Sequence, residues 1–356
     1  MLKGLLRKIV PVRVKRWLRA AQASLSLAFL RFFCLTPLLS TCYYALFSSQ
    51  FRREQFSVLK GRVKYEEQHR KQLYTAKSSA LLRRNTHRLE KGLIMQPRKP
   101  VFAEQYIQET VQAFAEIACS EQVCKDELKW ATDVLGAYFS TVTLTPKIEQ
   151  AEVVFRNTGK VAQNNFVPYK DAHRMRSEIS TDDLKALFMQ RRSTRWFKPQ
   201  PVENEKLDTA IEMASLAPSA CNRQPFSFFI ANDPEKAREV AGFAVGTGGF
   251  AHNIPCIVAV VGDLSAYPYE KDRHLIYIDG ALASMQFMLA LETMGLASCP
   301  LNWPDIEMRE QLISKRLNLV FEQRVVMLIA VGYAQEEGMI PFSQKKNTSS
   351  LRQDID

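Results

Sequence analysis

The sequence predicts an α+β fold in its C-terminal half, a mixed sheet flanked by helices in three layers, preceded by a mostly helical module. Two observations carry the prediction. From about residue 180 onward, apolar runs of strand length alternate with helix-period segments, as in a sheet layered with helices. From about residue 54 to 180 the periodicity is helical. A hydrophobic content of 46% over 356 residues supplies a sizeable core. The segments read as 1–53, 54–179 and 180–356.

Charge separates these segments. Residues 1–100 hold 22 of the 48 Lys and Arg but 4 of the 37 Asp and Glu, a net +18, which leaves the remainder at −7. The basicity therefore belongs to the N-terminal part and not to the body. It comes with no recognition motif or aromatic platform for nucleic acid, so no nucleic-acid partner is expected. Seven cysteines, at 34, 42, 119, 124, 221, 256 and 299, form no CxxC pair and no cluster with His. Neither a disulfide framework nor a metal site is expected, and the compartment reads as reducing, that is cytoplasmic.

The elements follow in order. "MLKGLLRKIVPVRVKRWLRAAQ" sets Leu5, Leu6, Ile9, Trp17 and Leu18 against Lys3, Arg7, Lys8, Arg13, Lys15, Arg16 and Arg19, with Pro11 interrupting. Such a stretch lies on an anionic membrane surface or packs a solvated face on the protein's own body; both readings stand, and residues 1–50 are the candidate membrane contact. Phe32 to Ser49 is an uncharged run of 18 residues, the lower edge of a membrane-spanning length. Arg31 and Pro37 interrupt the apolar stretch around it and Ser and Thr dilute it, so a buried or interfacial helix is expected. A cleaved leader fits poorly, because the basic region is long and no small-residue cleavage site follows.

A long charged helical stretch then runs to "MQPRKPVF" (95–102), whose two prolines stop it. Two more helical stretches follow. "NNFVPYKDAHRMRSEIS" (164–180) reads as a boundary. Ser180 or Thr181 caps the next helix, with acids in its first turn. Helices are expected near 181–191 and 203–217, a strand at 226–231, a helix at 234–243 and a strand at 254–263. A long helix at 276–294, another at 305–316 and a last strand at 324–334 complete the chain.

Three stretches carry chemistry. "RRSTRWF" (191–197) concentrates Arg191, Arg192, Ser193 and Arg195 past a helix end, suited to a phosphate through charge-assisted hydrogen bonds, or simply a solvated basic end. "ASLAPSACNRQPFSFFI" (214–230) packs small and amide side chains between helix and strand, either to admit a flat ligand or as an elaborate turn. "MGLASCPLNWPD" (294–305) ends a helix at Gly and presents backbone N–H groups before Pro304. Cys299 within it reads as a packing residue, with no His nearby in sequence. "VGTGGF" (245–250) lacks a strand-to-helix context for a dinucleotide fingerprint and reads as a flexible loop near the pocket mouth.

In this order, "RRSTRWF", "APSACNRQPF", "GLASCP" and "AVGYAQEEGMIPFSQKK" resemble the nitroreductase family of flavin enzymes, over about half the chain. The resemblance implies a nitroreductase-like three-layer sandwich, an intimate homodimer, and FMN at the subunit interface. Carried over, Arg191, Arg192, Ser193 and Arg195 hold the FMN phosphate and ribityl chain, completed by Lys345 with Lys346. Pro218, Ser219, Ala220 and Asn222 reach the flavin from the partner subunit, and Pro300, Leu301, Asn302 and Trp303 pass beside its ring. The tail "SQKKNTSS" departs from the family's usual Arg and Lys-Pro, and Trp303 stands where a small residue is common. "NTHRLEKGLIMQPRKPVF" looks like a segment upstream of nitroreductase-like domains in bacterial proteins associated with surface-polysaccharide genes, matched at His87, Glu90, Lys91 and Gly92. His87 and Glu90 share a helix face, as an acid/base pair or a structural hydrogen bond.

The implied activity is an FMN-dependent oxidoreductase passing electrons from NADH or NADPH to a small acceptor, with no catalytic side chain assigned. The rival expectation is a membrane-associated accessory protein of envelope polysaccharide assembly with a non-catalytic or regulatory flavin domain.

Overall fold

The computed structural model describes residues 12–71, 79–120 and 124–355, and contacts divide the chain at Phe56/Ser57 into two compact units. The first holds α1 (Val12–Phe33) and α2 (Pro37–Leu46). Thr36 caps α2, its hydroxyl accepting from the Leu39 N–H at 3.2 Å, with Pro37 at the first helical position. The expected face over Leu5, Leu6 and Ile9 lies outside the described residues.

The second unit begins within α3 (Arg52–Lys71) and continues through α4 (Ala80–Leu93), α5 (Ile107–Ala118), α6 (Lys125–Phe139) and α7 (Pro146–Asn157). The long stretch expected from residue 54 contains both α3 and α4. On α4, Leu82, Asn85, Thr86 and Leu89 share one buried face by three- and four-residue spacing. Leu82 and Leu89 join Ile107, Phe114, Leu135, Tyr138 and Ile148 in a core of their own. Buried Asp133 on α6 accepts from the N–H groups of Gln163, Asn165 and Phe166 at 2.7–3.1 Å, which ties down the segment leading to the next module.

That module runs α8 (Thr181–Gln190), α9 (Asn204–Ser215), β1 (Phe226–Ala231), α10 (Pro234–Phe243), β2 (Cys256–Asp263), α11 (Leu275–Thr293), β3 (Ala297–Leu301), α12 (Glu307–Leu317), β4 (Gln323–Gly332) and α13 (Thr348–Leu351). Ser180 caps α8, accepting from the Asp183 N–H at 3.1 Å. The sheet order is β1-β2-β4-β3. Every pairing among these strands is antiparallel, where the sequence suggested a mixed sheet; the parallel contact is a single bridge between Ser193 and Ser298.

Three layers follow from strand alternation. Ile257, Ala259 and Val261 of β2 point to a core shared with α10 and α12 through Ala237, Val240 and Ile313. Cys256, Val258 and Val260 point the other way, to Leu207 and Ala210 of α9 and Ala283, Phe287 and Leu291 of α11. β2 is buried on both faces, which is why its sequence is a continuous apolar run. The segment Glu270–Thr293, which includes α11, is among the described residues the one helix long and apolar enough to cross a membrane, but half of it is buried inside the fold. β3 is the element the sequence did not announce. Its five residues, ASCPL, lack an aliphatic run, and it forms because β4 offers an open edge at Leu328–Gly332.

Candidate functional site

Three elements converge on the "RRSTRWF" segment. The Thr194 N–H donates to Ser298 O at 3.0 Å, completing the bridge to β3. Asn253 holds the next residues extended, accepting from the Phe197 N–H at 2.7 Å and donating to Arg195 O at 3.0 Å. The Lys198 N–H reaches Tyr333 O at 2.8 Å, beyond the end of β4. Arg191, Arg192, Ser193 and Arg195 are thus fixed beside β3, which contributes Pro300 and Leu301, with Asn302 and Trp303 following. The expected cluster and the expected ring-side stretch come together in one chain.

Within that group the donors are unequally used. Arg192 donates from Nη2 to Pro341 O at 2.7 Å and to Phe342 O. It therefore binds the C-terminal tail to the cluster, leaving Lys345 and Lys346 exposed a few residues further on. Arg195 donates to Ser193 O at 3.3 Å and its guanidinium lies 5.8 Å from the Phe250 ring centre. Arg191 Nε and Ser298 Oγ are buried and find no hydrogen-bond partner. Buried donors without acceptors are costly, and here one belongs to the Arg cluster and the other to the β3 residue that bridges to Ser193 of that cluster. These residues fit an anionic, oxygen-rich group such as the phosphate and ribityl chain of FMN. Among the described residues no His/Cys/Asp/Glu group could hold a metal ion.

Cys299 is buried in the sheet core and burial pushes its thiol pKa up, the environment of a packing residue. Trp303 is half-buried, and its indole N–H donates to Glu310 Oε1 at 2.6 Å. Glu310 in turn pairs with Arg324 at 3.4 Å, both almost fully buried, and Arg324 reaches Asp305 at 2.9 Å. This network, absent from the sequence reading, sets the orientation of Trp303. The 245–250 loop is anchored: Thr247 is buried and donates to Ala241 O and Ala244 O at 2.8 and 3.2 Å.

The second expected group lies elsewhere. Pro218, Ser219, Ala220 and Asn222 sit in the turn entering β1. β1 and β3 are opposite edges of the sheet, and the pairing puts Ser298 level with the far end of β1 from Phe226. Three strand spacings across and about six residues along separate the two groups by on the order of 25 Å. One chain does not bring them together.

The turn is a strained object. Cys221, Asn222 and Gln224 all adopt positive φ, at 53°, 51° and 49°, a region that costs residues other than glycine on the order of 1–3 kcal/mol each. Hydrogen bonds hold it. Ser219 Oγ accepts from the Gln224 N–H at 3.0 Å, and Gln224 Nε2 donates to Ser215 O at 2.6 Å. The Ala220 N–H donates to Asp279 Oδ2 at 3.0 Å, and Tyr267 OH to the same oxygen at 3.2 Å. Burial pushes the Asp279 pKa up, and burial beside Asp279 raises that of Tyr267. Asp279 had a sequence signal, as the sole charge in the apolar run 275–291.

From the helical module, Arg83 on α4 completes the hold. Its Nε donates to Asn222 O at 2.8 Å and its Nη2 to Gln224 Oε1 at 3.0 Å, while Nη1 pairs with buried Glu127 at 3.1 Å. The two modules pack closely nearby: a Cβ on Gly61 of α3 would stand 2.7 Å from the Leu264 side chain and 2.8 Å from its carbonyl carbon. His87 and Glu90 approach at 3.4 Å, but Glu90 also accepts from the Trp130 indole N–H at 3.0 Å, so the pair braces α4 against α6.

Comparison with known proteins adds to this geometry. The nitroreductase family model matches residues 188–248 and 242–333. The NADH dehydrogenase of Thermus thermophilus is 27% identical over 195 residues, covering 46% of this chain and 93% of that protein. The 4-nitrobenzoate reductase of Pseudomonas putida is 25% identical over 212 residues, covering 46% and 90%. The NADPH-dependent FMN reductase of Bacillus subtilis is 29% identical over 123 residues, covering 30% and 49%. The matched region is the one that builds the sheet and the Arg cluster, and the chain is a nitroreductase-like oxidoreductase.

Proposed function

We propose that the protein is an FMN-dependent NAD(P)H oxidoreductase that works as a homodimer and passes electrons to a small acceptor. The observation that carries the reading is the pair of buried, unsatisfied donors, Arg191 Nε and Ser298 Oγ, where the Arg cluster meets β3. FMN, when bound, supplies hydride chemistry. The chain binds and orients. Arg191, Arg195 and Ser193 hold the phosphate end, with Lys345 and Lys346 adding charge from the tail that Arg192 anchors. Pro300, Leu301, Asn302 and Trp303 line the ring, with Trp303 narrowing the acceptor side.

The turn at Pro218–Asn222 comes from a second copy. Its distance from the cluster within one chain supports this, since a composite site then needs two chains. The name of the FMN reductase relative supports flavin use, and the names of the relatives as a set support a nicotinamide donor.

The test is an anaerobic absorbance spectrum of purified protein with NADH and then NADPH. Flavin bands that bleach establish the activity and identify the donor. A protein that neither carries FMN nor takes it up sinks the reading and leaves the accessory role in polysaccharide assembly. Arg195→Glu reverses charge at the phosphate and should weaken FMN at least tenfold, about 1.4 kcal/mol.

A further inference from the structure

The first compact unit is a helical hairpin with an unusual outer surface. Phe29 and Phe33 of α1 contact Tyr43 and Phe47: Phe29–Phe47 ring centres are 5.5 Å apart, Phe33–Tyr43 5.6 Å and Phe33–Phe47 5.3 Å. Residue 29 lies against 47 and residue 33 against 43, so the chain reverses at Cys34–Thr36 and α2 runs back along α1. This aromatic seam uses one side of α1. A different side stays uncovered. Val14, Trp17, Leu18, Leu25 and Phe32 fall within an arc of about 100° at helical spacing, and all five are exposed, Trp17 at 68% and Leu25 at 73%. Arg16 projects from the far side, with Arg13 and Arg31 along the border of the stripe.

The charge pattern selects the occupant. From residue 12 to 53 there are seven Lys and Arg and no Asp or Glu. A second copy of the hairpin would bring two such cationic segments together across the stripe, which repulsion opposes. A nucleic acid would take the charge and leave the apolar stripe in water. A bilayer with acidic headgroups satisfies both. The unit is also built to lie flat: the chain reverses inside its longest uncharged run, 32–51, and neither α1 nor α2 is among the helices long and apolar enough to cross.

We infer that α1 and α2 form a monotopic anchor that seats the Val14/Trp17/Leu18/Leu25/Phe32 stripe in the interface of an anionic membrane, with the flanking Arg residues on its headgroups.

The experiment is co-sedimentation of the full chain with vesicles of phosphatidylglycerol and phosphatidylcholine in equal parts, and with phosphatidylcholine alone. The acidic vesicles should bind it at least tenfold better, and added salt should release it. Trp17→Glu with Leu25→Glu, on an exposed face, should lower binding at least tenfold while helix content by circular dichroism is unchanged. Arg13→Glu with Arg31→Glu, the two arginines that border the stripe, should do the same while keeping the stripe. Equal binding to both vesicles, no binding to either, or full binding by the Trp17/Leu25 variant would each overturn the inference. So would sedimentation velocity showing that this variant breaks an oligomer of a wild type that ignores vesicles, since the stripe would then join copies of the chain.

Discussion

Arg83 is the residue whose replacement should report most directly on the junction between the helical module and the turn before β1. In Arg83→Met the hydrophobic stem is kept and the guanidinium is lost. Three things go with it: the 3.1 Å pair with Glu127, whose side chain is 2% exposed, and the 2.8 and 3.0 Å bonds to Asn222 O and Gln224 Oε1. Removing one partner of a buried ion pair costs about 3–5 kcal/mol. Glu127 keeps the Ser79 N–H at 3.0 Å, which places the expected loss at about 3 kcal/mol. Arg83→Lys preserves a charge near Glu127 but not the fork that reaches both turn residues, and should lose about 1–2 kcal/mol. Replacing both partners, Arg83→Met with Glu127→Leu, should recover most of the single-mutant loss, because an apolar pair carries no stranded charge. Urea unfolding is the assay, followed by tryptophan fluorescence; Trp130 lies 5.5 Å from the Arg83 guanidinium and is a local reporter. An Arg83→Met protein within about 0.5 kcal/mol of wild type, the range of an ordinary surface substitution, would refute the clamp.

Further expectations concern other parts of the second unit. Burial raises the folded-state pKa of Asp279 above its ordinary 3.8, so the folded state binds the extra proton and stability falls as pH rises through and above that value. Thermal midpoints of wild type and Asp279→Asn should therefore run parallel below about pH 4 and diverge against wild type above it; parallel profiles throughout would show that Asp279 is not the group responsible. Trp303→Phe removes the donor to Glu310 and should cost about 2 kcal/mol in urea unfolding, the scale of a hydrogen bond to a charged group; an unchanged midpoint would mean the 2.6 Å contact does not form in solution. Gly61→Val sets a branched side chain against the Leu264 backbone, and overpacking of this kind should destabilise by about 1–3 kcal/mol, read from the same curves. A neutral result would place α3 farther from residue 264.

How much of this was legible in the sequence depends on how local each signal is. The strands at 226–231 and 256–263 and the helices of the C-terminal module follow from hydrophobic period, and their ends from caps such as Ser180. β3 was missed because ASCPL has no period of its own and becomes a strand by pairing with β4. The Arg cluster and the Pro218–Asn222 turn were visible because each is a short contiguous run. Arg83 was not, because it reaches Asn222 across 139 residues of chain, and no local pattern marks an arginine for such a partner. The same holds for the Glu310–Arg324 pair that orients Trp303.

The sequence by itself determined the order and kind of most elements, the split between a basic N-terminal part and an acidic body, and which short motifs carry chemistry, because residue type and spacing act over a few neighbours. Only the tertiary structure decided where those motifs meet. It seats the Arg cluster on β3, sends the small-residue turn to the opposite corner of the sheet, and closes that turn with an arginine from the other module. Strand order and long-range ion pairs are properties of the folded chain, set by which edges and buried charges must be satisfied once the core has formed.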